Sequence, residues 1–239
     1  MNKQNYYRLK YVKNKPSWKG SYDLYRDIIR DFFKQDIHML DIGCGHSDLL
    51  KDLYKNTKNS YGLEPDKKAL EKNEFIKNKI VGTVEKMPFE DNIFDIVLLE
   101  WVLEHLKYPK VAFNEIYRVL KPGGKVIFLT PNSWNYNVWI IRAIPNRAHS
   151  YFTKKFYQRH EGDTYPVRYK INSPKKVSNI LRKIGFNKVN VILNGDPTYL
   201  SMNDLTFKIS LMIEKVLDYK FFNSFKVHLI GVFEKPSID

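Results

Sequence analysis

A glycine turn behind an acid is the part of this sequence best suited to chemistry. Met39-Leu40-Asp41-Ile42-Gly43-Cys44-Gly45-His46-Ser47-Asp48-Leu49-Leu50 leads an apolar strand into that turn and then into a helix. Gly43 and Gly45 carry no Cβ and can take positive φ, so a ligand could lie almost against the backbone where the strand ends. Asp41 sits at the lip. The spacing is close to a dinucleotide fingerprint, but a phosphate-binding turn needs a third glycine at position 48, where this chain has Asp48. A carboxylate repels phosphate, so the turn suits a ligand with no phosphate and a positive centre. Glu64 follows Asp41 by 23 residues, at the end of a second strand. There a carboxylate can accept hydrogen bonds from both hydroxyls of a ribose; a solvated helix-capping acid beside Pro65 is the alternative. Glu85, after a third strand, could lie beside an adenine or be a surface loop charge.

The elements that must position these residues alternate along the chain. Ser21 is suited to cap a helix whose apolar residues Tyr25, Ile28, Ile29, Phe32 and Phe33 recur at helical spacing. Strands are predicted at 37–42, 60–63, 80–84, 93–99 and 125–130, with helices at 48–54, 67–78 and 109–120 between them. Lys121-Pro122-Gly123-Gly124 stops the last of these helices. This rhythm predicts an α/β fold, a doubly wound parallel sheet with right-handed crossovers. From 131 to 172 the period is lost, then Ser173 as cap, Pro174 as first residue and Gly185 as stop frame a helix over 174–184. A strand at 188–193, an amphipathic stretch at 200–217 and a strand at 225–233 complete the chain. Leu205, Ile209, Met212, Ile213 and Val216 share one face of that stretch, which reads as core or a dimer face before a membrane anchor. The organisation expected is a basic arm over 1–20 and a single domain over 21–239, with insertions at about 131–173 and 196–223.

Composition excludes several classes. One cysteine, Cys44, allows no internal disulfide and no multi-cysteine zinc site, and no acidic cluster argues for another metal. The amino terminus has no apolar signal region. The longest uncharged run, Val126–Ile141, is 16 residues and broken by Pro131, so no membrane span is expected and a cytoplasmic setting is the default. The net charge of +14 is unevenly spread: residues 1–20 hold six basic and no acidic side chains, and residues 142–183 hold eleven and two. The remainder is close to neutral, so nucleic acid is open as a partner without being favoured.

Five motifs in order resemble a known family. Asp41-Ile42-Gly43-Cys44-Gly45, Gly62-Leu63-Glu64-Pro65-Asp66, the run from Glu85-Lys86-Met87-Pro88-Phe89 to Phe94-Asp95-Ile96-Val97, Glu104-His105 and Leu120-Lys121-Pro122-Gly123-Gly124 look like those of class I S-adenosylmethionine-dependent methyltransferases, in the ubiquinone-biosynthesis-like branch. The resemblance covers roughly residues 35–132 and fades in the insertions. It implies a Rossmann-like sheet of seven strands whose last strand is antiparallel, and S-adenosylmethionine as cofactor. It further implies methionine on the glycine turn, ribose on Glu64 beside Pro65, adenine near Val84 and Glu85, and Glu100 bordering the methyl-transfer site. The family often has a third glycine where Ser47 stands. It often has Asp where Thr83 stands, which leaves the adenine amino group to Glu85 or to backbone carbonyls.

The acceptor side is less defined. Methyl transfer to oxygen is helped by a general base, and His105 after the fourth strand is the first candidate, with a packing role as its alternative. Asn132, His160 and Tyr165 are candidates for touching the acceptor, His160 and Tyr165 from a cluster that could reach over the pocket as a lid, with a solvated loop as the favoured alternative. The insertion interleaves Trp134, Tyr136, Trp139, Tyr151, Phe152, Phe156, Tyr157, Tyr165 and Tyr169 with arginines and lysines. Such a surface suits sugars, a lipid-linked or phosphorylated acceptor, peripheral contact with an anionic membrane, or single-stranded RNA. The expected function is O-methylation of a small, glycan- or lipid-linked metabolite; an RNA methyltransferase and a non-catalytic S-adenosylmethionine-binding regulator are the alternatives.

Overall fold

The computed structural model describes residues 3–34, 36–57, 59–137 and 165–237. Its strands are β1 (His38–Ile42), β2 (Asn59–Glu64), β3 (Asn78–Val81), β4 (Phe94–Glu100), β5 (Leu120–Pro131), β6 (Asn187–Asn194) and β7 (His228–Glu234). They form one sheet in the order β3-β2-β1-β4-β5-β7-β6, parallel from β3 through β5, with β7 antiparallel to both neighbours. The α/β class and the antiparallel last strand are as expected from the motifs.

The sheet is covered on both faces, and β4 shows why its sequence is a continuous apolar run. Ile96 and Leu98 pack with Tyr25 and Ile29 of α2 (Ser21–Phe32) and with Leu53 and Tyr54 of α3 (Lys51–Lys55). Val97 and Leu99 face the other way, toward Phe113 and Ile116 of α5 (Pro109–Val119) and toward Val177 and Leu181 of α6 (Pro174–Ile184). Each such fully buried side chain contributes about 1.5–3 kcal/mol. No described helix is long and apolar enough to cross a membrane.

Several elements differ from the sequence reading. Ser21 is not a cap: Gly20 holds that position, and the buried Ser21 Oγ instead meets His228 Nδ1 at 2.8 Å and accepts from Asn194 Nδ2 at 2.9 Å. The helix expected over 48–54 is the single turn and a half of α3. The helix expected over 67–78 stops as α4 (Lys67–Glu71), because Asn73 turns the chain: its Oδ1 accepts from the backbone of Phe75 and Ile76, both at 3.1 Å. Lys121–Gly124 belongs to β5, where Gly123 takes φ +78° and its N–H donates to Lys235 O at 2.8 Å.

The basic arm folds as α1 (Lys3–Asn14), with Tyr7 and Tyr11 buried. It lies against α7 (Asp204–Leu217): Tyr7 stacks on Phe207 at 4.9 Å between ring centres. Three of the arm's cations are paired, Arg8 by Asp196 at 3.0 Å, Lys10 by Asp204 at 2.8 Å and Lys15 by Asp218 at 2.5 Å. The apolar stripe of α7 turns outward. Phe207, Ser210, Glu214 and Leu217 are buried and Ile213 packs against the Tyr136–Leu217–Val227 cluster, whereas Leu205, Ile209, Met212 and Val216 are exposed, so the reading as core holds for Ile213 and fails for the other four. Most of the insertion's aromatics and cations, from Trp139 through Arg159, and residues 160–164 lie outside the described residues.

Candidate active site

The site lies at the carboxyl ends of β1, β2 and β4. The sheet order reverses between β1 and β4, the place where open α/β sheets leave a crevice. A cavity of about 380 Å³ opens there, lined among others by Gly43, Glu64, Pro65, Val84, Glu85, Glu100, Trp101, His105 and Tyr165. That volume is in the range of small-molecule sites.

The glycine turn is built for close approach. Gly43 has φ +69°, and a Cβ there would sit 2.5 Å from Val102 Cγ2. Its N–H donates to Leu63 O at 2.8 Å, which ties the turn to β2. Gly45 has φ +45° and donates its N–H to Glu64 Oε2 at 3.0 Å, while its carbonyl accepts from Asn73 Nδ2 at 3.1 Å. Glu64 is thereby fixed in place, with Oε1 accepting from Asp66 N–H at 3.0 Å and from the Tyr165 hydroxyl at 3.1 Å. It does not cap α4; Asp66 does, accepting from Lys68 N–H and Ala69 N–H. The helix-cap alternative for Glu64 is thus taken by its neighbour.

Asp41 is not at the lip of the cavity: it is buried beneath the turn, outside the cavity lining, and accepts a hydrogen bond from the Tyr54 hydroxyl. Burial pushes its carboxyl up to about 7, the charge of Glu64 adds to that, and the Tyr54 bond opposes it. Glu100 is pushed up to about 8, first by burial and then by Asp41, against a hydrogen bond from Ser47 Oγ at 3.4 Å. Among the described residues no basic side chain offsets either group. A trio of carboxylates without a matching cation fits a ligand that brings positive charge. Ser47, at the position of the missing third glycine, turns its hydroxyl to Glu100 and accepts from Leu49 N–H at 3.3 Å.

The far wall is aromatic. Trp101 follows β4 with φ +55°, an outlier for a bulky residue, and its Nε1–H donates to the Tyr22 hydroxyl at 2.9 Å. His105 lines the cavity nearby, and its Nδ1 lies 3.3 Å from Pro166 O. A carbonyl only accepts, so Nδ1 carries the proton and Nε2 is the basic nitrogen of the neutral ring. Glu104 accounts for the order of the chain above: its backbone carbonyl accepts from Arg168 N–H at 2.6 Å and Tyr169 N–H at 3.2 Å. That contact brings Tyr165 over Glu64.

Not every expected residue arrives. Asn132 is fully buried away from the cavity lining, with Nδ2 donating to Ser224 O and Lys226 O, both at 2.8 Å, and Oδ1 accepting from Trp134 N–H at 3.1 Å. His160 lies outside the described residues. Trp101 and Val102 were not read from the sequence, since nothing in their neighbourhood announces a positive φ or a contact with the glycine turn.

Comparison with known proteins gives the family. The family described as "Methyltransferase domain" matches residues 40–128. An uncharacterized protein of Methanocaldococcus jannaschii, MJ1252, is 31% identical over 172 residues, 69% of this chain and 67% of the other. The ubiquinone/menaquinone biosynthesis C-methyltransferase UbiE of Rhizobium rhizogenes is 29% identical over 124 residues, 46% of this chain and 45% of its own. The chain thus spans less than half the length of several curated relatives it matches. Among solved structures, a possible histamine N-methyltransferase of Thermotoga maritima shares the fold, with a TM-score of 0.58 and 19% identity over 90% of this chain and 89% of that one. The chain belongs to the class I S-adenosylmethionine-dependent methyltransferases, whose cofactor is the kind of cationic, phosphate-free nucleoside the turn calls for.

Proposed function

We propose that this protein transfers a methyl group from S-adenosylmethionine to an oxygen of a small, glycan- or lipid-linked metabolite. The observation that carries the reading is that Glu64, Glu100 and His105 line one cavity. The bound cofactor supplies a methyl group already activated on a sulfonium. Glu64 and Pro65 would hold the ribose, Val84 and Glu85 the adenine, and Gly43 with Glu100 the methionine end. Placement of the acceptor then does most of the work, because in-line displacement needs little else. His105 Nε2 takes the hydroxyl proton, while the Pro166 carbonyl on Nδ1 keeps the ring in the tautomer that can do so. Trp101 and Tyr165 wall the acceptor side against water.

A carbon beside the hydroxyl is the second reading, favoured by the name of the UbiE relative as a C-methyltransferase. The same base serves it, since removing the hydroxyl proton enriches both atoms. An RNA acceptor draws less support, because Arg8, Lys10 and Lys15 of the arm are engaged by acids of the chain itself.

The test has two parts. S-adenosylhomocysteine should raise the melting temperature, and no shift at millimolar ligand would remove the cofactor assignment. With labelled methyl donor and extracted lipids, glycans or RNA as acceptor pools, label should enter a non-RNA pool. His105→Ala should then lower turnover about 100- to 10,000-fold with cofactor affinity retained; unchanged turnover would reduce His105 to a packing role.

A further inference from the structure

We propose that the outward face formed by α1, α7 and the segment after α7 docks on an anionic lipid bilayer. Leu205, Ile209, Met212 and Val216 recur every third or fourth residue and make one stripe along α7, with Met212 69% exposed. The stripe does not end with the helix: Tyr219, Phe221 and Phe222 continue it, Phe221 being 83% exposed. Alongside, α1 turns Tyr6, Leu9 and Val12 to solvent while its opposite face is held on α7 by the Tyr7–Phe207 stack. An apolar surface of this extent on two adjacent helices marks an interaction site.

Charge decides between occupants. The exposed acids of α7 and its end are already used, Asp204 by Lys10 and Asp218 by Lys15 and Lys226. Lys3, Lys13, Lys208, Lys215 and Lys220 are exposed on the same elements and form no ion pair with another described residue. The face is therefore apolar with a cationic margin. A second copy docked on it would set those ammonium groups against their own kind. A bilayer with acidic headgroups meets both halves: side chains such as Met212 and Phe221 enter the acyl boundary, and lysines reach up to the phosphates. Each lysine near such a surface adds about fivefold to partitioning at physiological salt.

The face also adjoins the active site. Tyr199, in the 3-10 turn Pro197–Tyr199 that packs between α1 and α7, stacks edge-on with His228 at 5.5 Å, and His228 with the cavity-lining Trp101 at 5.1 Å. Docking would place the aromatic wall of the cavity within two side chains of the lipid surface. The inference stands on this surface alone and does not require the acceptor to be lipid-linked.

Co-sedimentation of the full chain with vesicles tests it. Binding is expected to vesicles of phosphatidylcholine and phosphatidylglycerol in equal parts, and little to phosphatidylcholine alone. Met212→Gln with Phe221→Ser changes no charge and alters only exposed side chains. It should cut binding at least about tenfold while leaving the melting temperature and the S-adenosylhomocysteine shift as they were. Lys208→Gln with Lys215→Gln and Lys220→Gln should also weaken it, by more at low salt. Wild-type protein that ignores the anionic vesicles overturns the proposal. So does binding that the apolar double variant leaves unchanged, which would locate attraction elsewhere on the basic chain. A dimer by sedimentation that the double variant abolishes, without vesicle binding, would assign the face to a second copy instead.

Discussion

The Tyr165 hydroxyl donates to Glu64 Oε1 at 3.1 Å, so the carboxylate suited to ribose already holds a hydroxyl. A ribose arriving at Glu64 must displace it or share the oxygen. Tyr165→Phe removes the competitor and should tighten S-adenosylhomocysteine two- to tenfold, the range of about 0.5–1.5 kcal/mol for one net hydrogen bond. Calorimetric titration reads the change. Weakened binding would mean that Tyr165 closes over the nucleoside rather than standing in for it.

Glu64 itself ties the turn together through Gly45 N–H and Asp66 N–H. Glu64→Gln keeps its shape but loses the charge and one acceptor, so cofactor affinity should fall about tenfold to a hundredfold. The unliganded melting temperature should fall too, since a turn amide loses a charged partner. An unchanged affinity would place the ribose elsewhere.

The acids beneath the turn make binding depend on pH. Asp41 and Glu100 ionise near about 7 and about 8 in the fold, above their ordinary carboxylate ranges. The folded chain therefore keeps protons that the unfolded chain releases, and the stability this gives is full in acid and lost as pH rises through those values. A sulfonium needs the carboxylates ionised. Affinity for S-adenosylmethionine should climb with pH until about 8, by at most about tenfold per pH unit for each group. S-adenosylhomocysteine, without the sulfonium charge, should climb less, and Glu100→Gln should remove the upper part of the rise. Identical profiles for the two ligands would show that neither carboxylate senses the sulfur.

Asn132 fastens the end of β5 to the chain before β7 through two bonds of its amide, to Ser224 O and Lys226 O, and holds Trp134 N–H with a third. Asn132→Ala leaves buried backbone groups without partners, each costing about 1–3 kcal/mol. A marked drop in melting temperature is expected, with the S-adenosylhomocysteine dissociation constant nearly unchanged. Loss of turnover without loss of stability would return Asn132 to the acceptor site.

Local chemistry made much of this legible in the chain itself. Gly43 and Gly45 behind Asp41, and Glu64 before Pro65, were readable because positive φ and a strand-end carboxylate are properties of single residues and short spacings. The helix over 174–184 was readable for the same reason, framed by Pro174 and Gly185. Tertiary structure alone decided the rest. Helical spacing showed that Leu205, Ile209, Met212 and Val216 share a stripe, but not that Tyr7, from a helix about two hundred residues earlier, would claim the opposite face through Phe207. Likewise no local rule brings Tyr165 to Glu64 or gives Trp101 its positive φ. Those contacts depend on where Glu104 pins the returning chain and on which strands become neighbours, and a one-dimensional pattern fixes periodicity but not partners.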